Sequence, residues 1–238
     1  MLWVGTSGYS YAEWKGSFYP EKMPQAKMFA YYAARFSTVE INNTFYRMPD
    51  AKLLEGWRDA APPGFRFALK APQRITHVHR LKPEAEDTLR VFCERARLLG
   101  DKLGPVLFQL PPNQKKDVER LAGFLALVPG GVRAAFEFRH PSWFDDEVFA
   151  ALRARGAALC IADSEKLATP PVATAPFGYL RLRDEGYDDA GIAAWHARIT
   201  ELSPGWDDAF VFFKHEQAGK GPAFARQLLD LAARPSGP

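Results

Sequence analysis

The chain contains little cysteine and no long apolar run, and these two features argue against several classes of metal, redox and membrane protein. Its two cysteines, Cys93 and Cys160, lie far apart and show no Cys-x-x-Cys spacing, which argues against a zinc ribbon or a dithiol redox centre. Isolated cysteines in apolar surroundings are typical of buried side chains in a reducing compartment. No apolar run approaches the roughly 20 residues that span a bilayer, so we expect no membrane partner.

Signatures of targeting, dinucleotide binding and hydrolysis are also missing. The first predicted strand starts almost at Met1 with no basic and then apolar leader, so we expect no signal peptide and a cytoplasmic protein. Gly5-Thr6-Ser7-Gly8 does not match the Gly-x-Gly-x-x-Gly turn that binds dinucleotides. No serine nucleophile elbow and no His-Glu-x-x-His motif are present. We therefore predict no cofactor.

The overall composition is that of a globular domain with a mild positive charge. The 238 residues are 47% hydrophobic, enough for a full core, and the net charge is +3. A weakly basic chain tolerates an anionic ligand without indicating nucleic-acid binding. No repeat or linker divides the chain, so we expect one domain over 1–238, with a frayed tail after about residue 232.

Strand-like and helix-like segments alternate from end to end. The strands are predicted at 2–6, 38–45, 66–71, 105–110, 133–139, 158–163, 177–183 and 209–214. The helices are predicted at about 25–35, 50–60, 84–99, 115–128, 144–155, 190–202 and 221–233. Asp50 and Ser142 are plausible N-caps, and the segment from Ser164 to Pro176 reads as a loop or short helix. Eight strands with seven helices predict an α/β fold, a single (β/α)8 barrel, with an open doubly wound sheet as the alternative.

Charged or amide side chains recur near the C-terminal ends of these strands. Because side chains alternate along a strand, the apolar residues Phe136 and Phe138 share one face while Glu137 lies on the other. Desolvating an unpaired ion costs several kcal/mol, so such charges should converge on partners. In a barrel they meet at the C-terminal mouth, which predicts one polar site there.

The same strand ends carry motifs that resemble a known family. They are Gly5-Thr6-Ser7-Gly8-Tyr9, Glu40-Ile41-Asn42-Asn43-Thr44-Phe45-Tyr46-Arg47, Lys70-Ala71-Pro72, Gly104–Pro112, Glu137–Trp143 and Phe212–Glu216. Together they closely resemble the DUF72 family, also called YecE-like, over nearly the whole chain. The resemblance implies a TIM barrel and no established activity.

Three of the mouth residues are candidates for catalysis. Glu137 is the best general acid or base, because the phenylalanines beside it should raise its carboxyl pKa, although Arg139 nearby opposes that increase. Glu40 is its partner. Lys70 either acts as a Schiff-base nucleophile or, as we favour, stabilises an oxyanion, since nearby acids should keep it protonated. The predicted substrate-binding residues are Tyr9, Asn42, Tyr46, Gln109, Arg139, His140, Trp143, Asp163, Arg181, Lys214 and His215.

The sequence suggests two further ligand sites. Gly219-Lys220-Gly221 follows the last strand, where barrel enzymes often bind phosphate at a helix N-terminus, although a plain glycine-rich turn explains it equally well. A divalent metal, held by Glu40, Glu137, Asp163 and a loop histidine, is an alternative that we do not favour, since neighbouring cations compete with it.

The basic mouth favours an enzyme that performs acid/base chemistry on a small anionic substrate, phosphorylated or carboxylated and sugar-like. Three alternatives stay open: a glycoside hydrolase using Glu40 and Glu137, a protein that binds or processes nucleic acid, and a non-catalytic ligand-binding scaffold. The sequence does not determine the oligomeric state.

Overall fold

Eight parallel strands form a barrel in the computed structural model, which describes residues 1–163 and 167–234. The strands are β1 (Leu2–Thr6), β2 (Thr38–Ile41), β3 (Arg66–Lys70), β4 (Leu103–Gln109), β5 (Ala134–Glu137), β6 (Ala158–Asp163), β7 (Phe177–Leu182) and β8 (Asp208–Phe213). Their order around the sheet is β1-β8-β7-β6-β5-β4-β3-β2. The predicted (β/α)8 barrel is confirmed.

Helices surround the barrel. They are α1 (Gln25–Ala33), α2 (Asn43–Tyr46), α3 (Ala51–Ala60), α4 (Glu86–Ala96), α5 (Val118–Leu127), α6 (Asp146–Ala154), α7 (Asp189–Leu202) and α8 (Lys220–Ala232). Residues 167–176, between β6 and β7, form a loop. Residues 164–166 of that predicted loop and 235–238 of the predicted frayed tail lie outside the described residues. None of the helices in the described ranges has the length and apolarity needed to cross a bilayer.

Two local predictions were wrong. The second strand ends at Ile41, not at 45, because the Thr44 hydroxyl donates to the carbonyls of Ile41 (3.2 Å) and Lys70 (2.6 Å) and turns the chain into α2. Ser142 does not cap α6; its Oγ accepts from the Lys116 amide at 2.8 Å, and Asp145 is the cap instead.

Alternation along the strands separates two apolar layers. The outer faces pack against the helices and include Val39, Phe67, Phe136 and Leu180. The inner faces make a smaller cluster of side chains inside the barrel: Trp3, Ala68, Leu107, Ala135, Ala158, Cys160, Ala162, Phe177, Tyr179, Phe210 and Phe212. The inner cluster fills the barrel from below, so the next inward positions toward the C-terminal ends form the floor of the mouth.

Aromatic and charged side chains fill the N-terminal end of the barrel. Arg133 pairs with Asp208 at 2.8 Å and lies 4.9 Å from the centre of the Phe210 ring. Trp3 donates its indole N–H to Asp208 at 2.9 Å, and the Arg66 guanidinium lies over the Trp3 ring. These contacts fill the N-terminal end of the barrel with paired side chains.

The barrel closes between β1 and β2 largely through one tyrosine. The Tyr32 hydroxyl, carried by α1, accepts from the Thr6 amide at 2.9 Å and donates to the Thr38 carbonyl at 2.9 Å. Just above it, the Gly8 amide donates to the Glu40 carbonyl at 2.8 Å. A side-chain hydroxyl therefore takes the place of a ladder bond at this junction, which we call the seam.

Asp50 is the N-cap of α3, as the sequence predicts, and gives a test of the local structure. Its carboxylate accepts from the Leu53 amide at 2.8 Å. Asp50→Ala removes this side-chain acceptor, and loss of such a cap typically lowers the free energy of unfolding by about 1 kcal/mol. Urea denaturation should show this decrease in the free energy of unfolding. The control is Asp87→Ala, an exposed substitution inside the first turn of α4, which should change that free energy by less. Equal effects would contradict the cap.

Candidate functional site

Two carboxylates form the floor of the mouth, and both are fully buried. Glu40, on β2, accepts from Ser7 Oγ (2.6 Å) and Arg181 Nη2 (2.9 Å) on Oε1, and from Tyr179 Oη (2.7 Å) on Oε2. Neither Glu40 nor Glu137 has any exposed surface. Every oxygen of Glu40 is therefore occupied by a donor.

Glu137, on β5, is held by three arginines and an amide. Its Oε2 accepts from Arg181 Nη1 at 2.5 Å and from Gln109 Nε2 at 2.8 Å. Its Oε1 accepts from Arg139 Nε at 3.0 Å and from Arg183 Nη2 at 3.1 Å. The network extends around the mouth from β4 through β5 to β7.

The Arg181 guanidinium joins the two carboxylates and sets their protonation. Burial alone would raise the pKa of Glu137, but Arg181, Arg183 and Arg139 hold it well below its ordinary value of 4.5. Burial opposes ionisation of Glu40 too, and Arg181 with the hydroxyls of Ser7 and Tyr179 still lowers its pKa. The expectation that neighbouring phenylalanines raise the Glu137 pKa was wrong, because three guanidinium groups outweigh the burial. Both glutamates are ionised throughout the physiological range.

Lys70, at the end of β3, lies beside this network and forms no ion pair within the part of the chain that the structure describes. Its Nζ donates to Gln109 Oε1 at 2.8 Å and lies 3.9 Å from the centre of the Phe45 ring. No carboxylate of the described residues lies within 4.0 Å of Nζ. Burial and the charge of Arg181 lower its pKa from 10.5 to about 7, so the nearby acids do not keep Lys70 fully protonated, contrary to the expectation from sequence.

The lowered pKa of Lys70 predicts a pH-dependent stability. Because the folded pKa is about 7 and the unfolded pKa about 10.5, the unfolded chain binds more protons between these values, and Lys70 adds stability as the pH rises. In urea denaturation, the unfolding free energy of the wild type minus that of Lys70→Met should increase from pH 7 to pH 9. The slope should reach at most about 1.4 kcal/mol per pH unit.

The matched control for this slope is Lys52→Met, on the exposed face of α3. The unfolding free energy of the wild type minus that of Lys52→Met should not change over the same pH range. If the corresponding difference for Lys70→Met also stayed constant between pH 7 and pH 9, Lys70 would keep an ordinary pKa in the folded protein.

The loop after β3 has an unusual backbone. Arg74–Val78 form a single π-helical turn, and Arg80 and Leu81 have left-handed φ angles of 51° and 63°. π-Turns and left-handed non-glycine residues occur often at functional sites. His77, on this turn, packs edge-on against Phe45 at 4.9 Å, and burial with the nearby charge of Lys70 lowers its pKa.

Other predicted residues also reach the mouth. Asn42 donates to Glu40 Oε1 at 3.3 Å. Lys214 continues the inward face of β8 and is exposed at its end, and partial desolvation of its ammonium group together with the charge of Arg181 lowers its pKa. Gln109 connects Lys70 to Glu137, so its amide orientation is fixed at both ends.

Several predicted substrate-binding residues do not converge on this floor. Asp163 lies on the outer face of β6, where its carboxylate accepts from Tyr187 (2.6 Å) and Trp195 (3.2 Å). Trp143 is fully buried and stacks on Phe138 with ring centres 4.6 Å apart. These two side chains therefore contribute to packing outside the barrel.

The remaining predicted aromatic and histidine side chains have separate positions. Tyr9 packs on Phe29, and Tyr46 is 73% exposed. His140 Nδ1 contacts Ser142 Oγ at 2.8 Å, and His215 Nε2 contacts the Asp184 carbonyl at 2.7 Å. None of these three contacts belongs to the Glu40–Glu137 network.

The glycines of the Gly219-Lys220-Gly221 turn are explained by packing. A Cβ at Gly219 would lie 2.5 Å from Ser17 Oγ, and the residue has a left-handed φ of 72°. A Cβ at Gly221 would lie 2.9 Å from the His215 carbonyl oxygen. Close packing against Ser17 and the His215 carbonyl therefore explains both glycines without a ligand, and the phosphate site stays a prediction.

The sequence reading missed some residues that build the site. Ser7 and Tyr179 bind Glu40, and Phe45 forms the surface beneath Lys70. Tyr179 could have been found, because it lies two residues before Arg181 on the same strand and therefore on the same face. His77-Val78-His79 has a His-x-His spacing, but His79 accepts from Arg74 at 3.2 Å. Within the described ranges, no three His, Cys, Asp or Glu side chains are grouped as a metal site would require.

An eight-stranded parallel barrel with a polar cluster at its C-terminal ends defines a TIM-barrel protein with a candidate site at the mouth. The sequence matches the family model of DUF72, described as a protein of unknown function, over residues 3–237. The chain belongs to the DUF72 family.

Individual relatives agree with this assignment. The UPF0759 protein YunF of Bacillus subtilis (strain 168) is 25% identical over 274 aligned positions, which cover 97% of this chain and 94% of that protein. A DUF72 family protein of Thermotoga maritima MSB8 is 27% identical, with a TM-score of 0.83 over 98% of this chain and all of that one. One from Enterococcus faecalis V583 has a TM-score of 0.82 at 18% identity, covering 100% of this chain and 97% of that one, and shows the common fold.

Proposed function

We propose that this protein is an enzyme that acts on a small anionic substrate bound at the barrel mouth. The observation that carries the proposal is an excess of cationic side chains over carboxylates. Among the described residues of the mouth, Arg139, Arg181, Arg183, Lys70 and Lys214 accompany three carboxylates: Glu40, Glu137 and, near Lys214, Glu216.

The surplus cations have the position and the capacity to hold an anion. Arg139 and Arg183 each use one nitrogen on Glu137, and their side chains are 33% and 18% exposed. Arg183 Nε is buried without a hydrogen-bond partner among the described residues. A guanidinium with free N–H groups suits carboxylate or phosphate oxygens.

The chemistry that fits this site is proton transfer at Lys70 rather than at Glu137. A pKa of about 7 lets the Lys70 amine exchange protons near neutral pH. Glu137 is fully buried and its pKa is strongly lowered, so it serves better as the anchor of the three arginines. The same burial and the bridging Arg181 disfavour a glycoside hydrolase, whose two carboxylates must face the sugar and a water.

The proposal can be tested by thermal denaturation with matched pairs of ligands. Pyruvate, 2-oxoglutarate, dihydroxyacetone phosphate and ribose 5-phosphate would be compared with acetone, dihydroxyacetone and ribose, and with short oligonucleotides. A ligand at 100 times its Kd adds about 2.7 kcal/mol, which corresponds to a rise of roughly 5–10 °C in Tm. Only the anionic members should stabilise the protein, and NMR should show that at least one of them is consumed.

Arg139→Gln provides the variant and Arg120→Gln its matched control. Both arginines are about one-third exposed and pair with one carboxylate, but Arg120 lies on α5 beside Asp117. Anion affinity should fall at least about tenfold in Arg139→Gln, the loss of roughly 1.4 kcal/mol, and stay unchanged in Arg120→Gln. Stabilisation by oligonucleotides alone would favour the nucleic-acid alternative, and a bound anion that is never consumed would favour a binding protein.

A further inference from the structure

Lys70 is a buried lysine with few partners. Its side chain is 8% exposed, and lysine is rarely buried without a counterion. Among the residues that the structure describes, Nζ has one hydrogen-bond partner, Gln109 Oε1 at 2.8 Å, and lies over one aromatic ring, that of Phe45. A lysine that only stabilised the barrel would be expected to pair with Glu40 or Glu137, and both are instead occupied by Arg181.

We propose that Lys70 is a nucleophile that forms an imine with its substrate, and that the substrate is a carbonyl compound carrying a carboxylate or phosphate. The inference rests on the proposed function, because the same arginines would hold the anionic group. It goes further by assigning a covalent step and by restricting the substrate class to 2-oxo acids and to sugar phosphates in their open-chain form.

The hydrogen-bonded neighbours of Lys70 leave its nitrogen suited to attack. Gln109 donates its Nε2 to Glu137 at 2.8 Å, so its Oε1 must face Lys70 and accept one N–H. With one N–H so directed, a neutral amine keeps a lone pair for a carbonyl carbon. The Phe45 ring face, 3.9 Å away, stabilises a cation and so favours the iminium that forms.

A chain of hydrogen bonds connects the Lys70 amine to the proposed anion site at Arg139. Lys70, Gln109 and Glu137 follow one another on adjacent strands through two hydrogen bonds of 2.8 Å, and Arg139 joins Glu137 at 3.0 Å. A small molecule with its anionic group at Arg139 and its carbonyl toward β3 would span this part of the mouth. The lowered pKa of Lys70, about 7, supplies the neutral amine near physiological pH.

The step balances without a redox partner. The neutral nitrogen forms a bond to the carbonyl carbon while the carbon–oxygen π pair moves to oxygen. Both hydrogens of the amine leave with that oxygen as water, a carbon–nitrogen double bond forms, and one proton from solvent keeps the nitrogen as an iminium.

Reductive trapping tests the proposal. The protein at pH 7.5 would be incubated with pyruvate, 2-oxoglutarate, dihydroxyacetone phosphate or ribose 5-phosphate, treated with borohydride, and analysed by intact mass and peptide mapping. At this pH the neutral fraction of Lys70 exceeds that of an ordinary lysine by several hundredfold, from pKa values of about 7 and about 10.4. At least one anionic carbonyl should therefore leave a single adduct on Lys70, with far less on the exposed Lys220.

The variants separate this inference from the proposed function. Lys70→Arg keeps a cation but cannot form a stable imine, so it should lose the adduct and still be stabilised by the same anions in thermal denaturation. Lys220→Arg should keep the adduct. Anions that stabilise the wild type but leave no adduct on Lys70 would overturn the imine and leave the anionic substrate intact. Adducts spread evenly over exposed lysines would also overturn it, and the absence of both adduct and stabilisation would overturn both proposals.

Discussion

Replacing Arg181 by methionine should lower the free energy of unfolding by about 3–5 kcal/mol at pH 7.5, because removing one partner of a buried ion pair leaves the other uncompensated. Here two carboxylates lose their shared partner at once. Arg181 contacts Glu40 at 2.9 Å and Glu137 at 2.5 Å, and all three side chains are buried. For a domain of this size the loss corresponds to a decrease of roughly 6–20 °C in Tm.

The pH dependence of this loss distinguishes electrostatics from packing. In the wild type the folded pKa values of both glutamates are below 4.5, so their ion pairs add stability above that pH and lose it as the pH falls. Without Arg181 the pKa of each buried carboxyl rises, and protonation relieves the cost. The difference between wild type and Arg181→Met should therefore shrink between pH 7.5 and pH 5.

Denaturation by urea at these two pH values gives the measurement, with Arg120→Met as the control. Arg120 pairs with Asp117 at 2.8 Å on the surface, where both side chains are about one-third exposed. Exposed pairs of this kind contribute about 0–1 kcal/mol. If Arg181→Met cost no more than Arg120→Met, or cost the same at both pH values, the ion-pair account of the floor would be wrong.

Tyr32→Phe should have the second large effect, a loss of about 2–6 kcal/mol. The substitution removes a single oxygen and leaves the Thr6 amide and the Thr38 carbonyl unpaired inside the seam. Each buried polar group left without a partner costs about 1–3 kcal/mol. The ring itself stays, so the expected loss reflects hydrogen bonding rather than a cavity.

Tyr31→Phe, one residue earlier on α1, is the matched control for the seam. Tyr31 is half-buried and lies under the Arg35 guanidinium, 3.4 Å from its ring centre, away from β1 and β2. Tyr32→Phe should also speed hydrogen exchange of the Thr6 amide, which Tyr31→Phe should not change. Equal stability of the two variants would show that water or a backbone shift replaces the missing hydroxyl.

The alternation of side chains along the strands predicted which polar residues face inward. It did not predict which of them pair with one another. Glu40, Glu137 and Arg181 face inward as their strand positions require, and the structure brings them together. The pairing itself was not predictable, because β7 lies across the barrel from β2 and the pattern along one strand says nothing of what faces it. That missing partner is also why the direction of the Glu137 pKa was predicted wrongly.

The misplaced residues have local explanations. On β6 the inward positions belong to Ala158, Cys160 and Ala162, so Asp163 faces outward. The alternation along this strand could have predicted that orientation from the sequence. Trp143 follows β5 in a short 3-10 turn that directs its ring onto Phe138. Loops of this kind follow no simple period, so the destinations of their aromatic side chains depend on packing that sequence alone does not reveal.

The seam also bears on the order in which the chain can assemble during synthesis. Of the eight strands, β1 is synthesised first, yet its ladder partner is β8, more than 200 positions later, and its other edge is completed by Tyr32. Contacts of such high sequence separation form slowly, and unpaired strand edges are prone to aggregation. The ladder between the first strand and the last can therefore form only after β8 is made, and nascent chains truncated before β8 should need chaperone protection that the complete barrel does not.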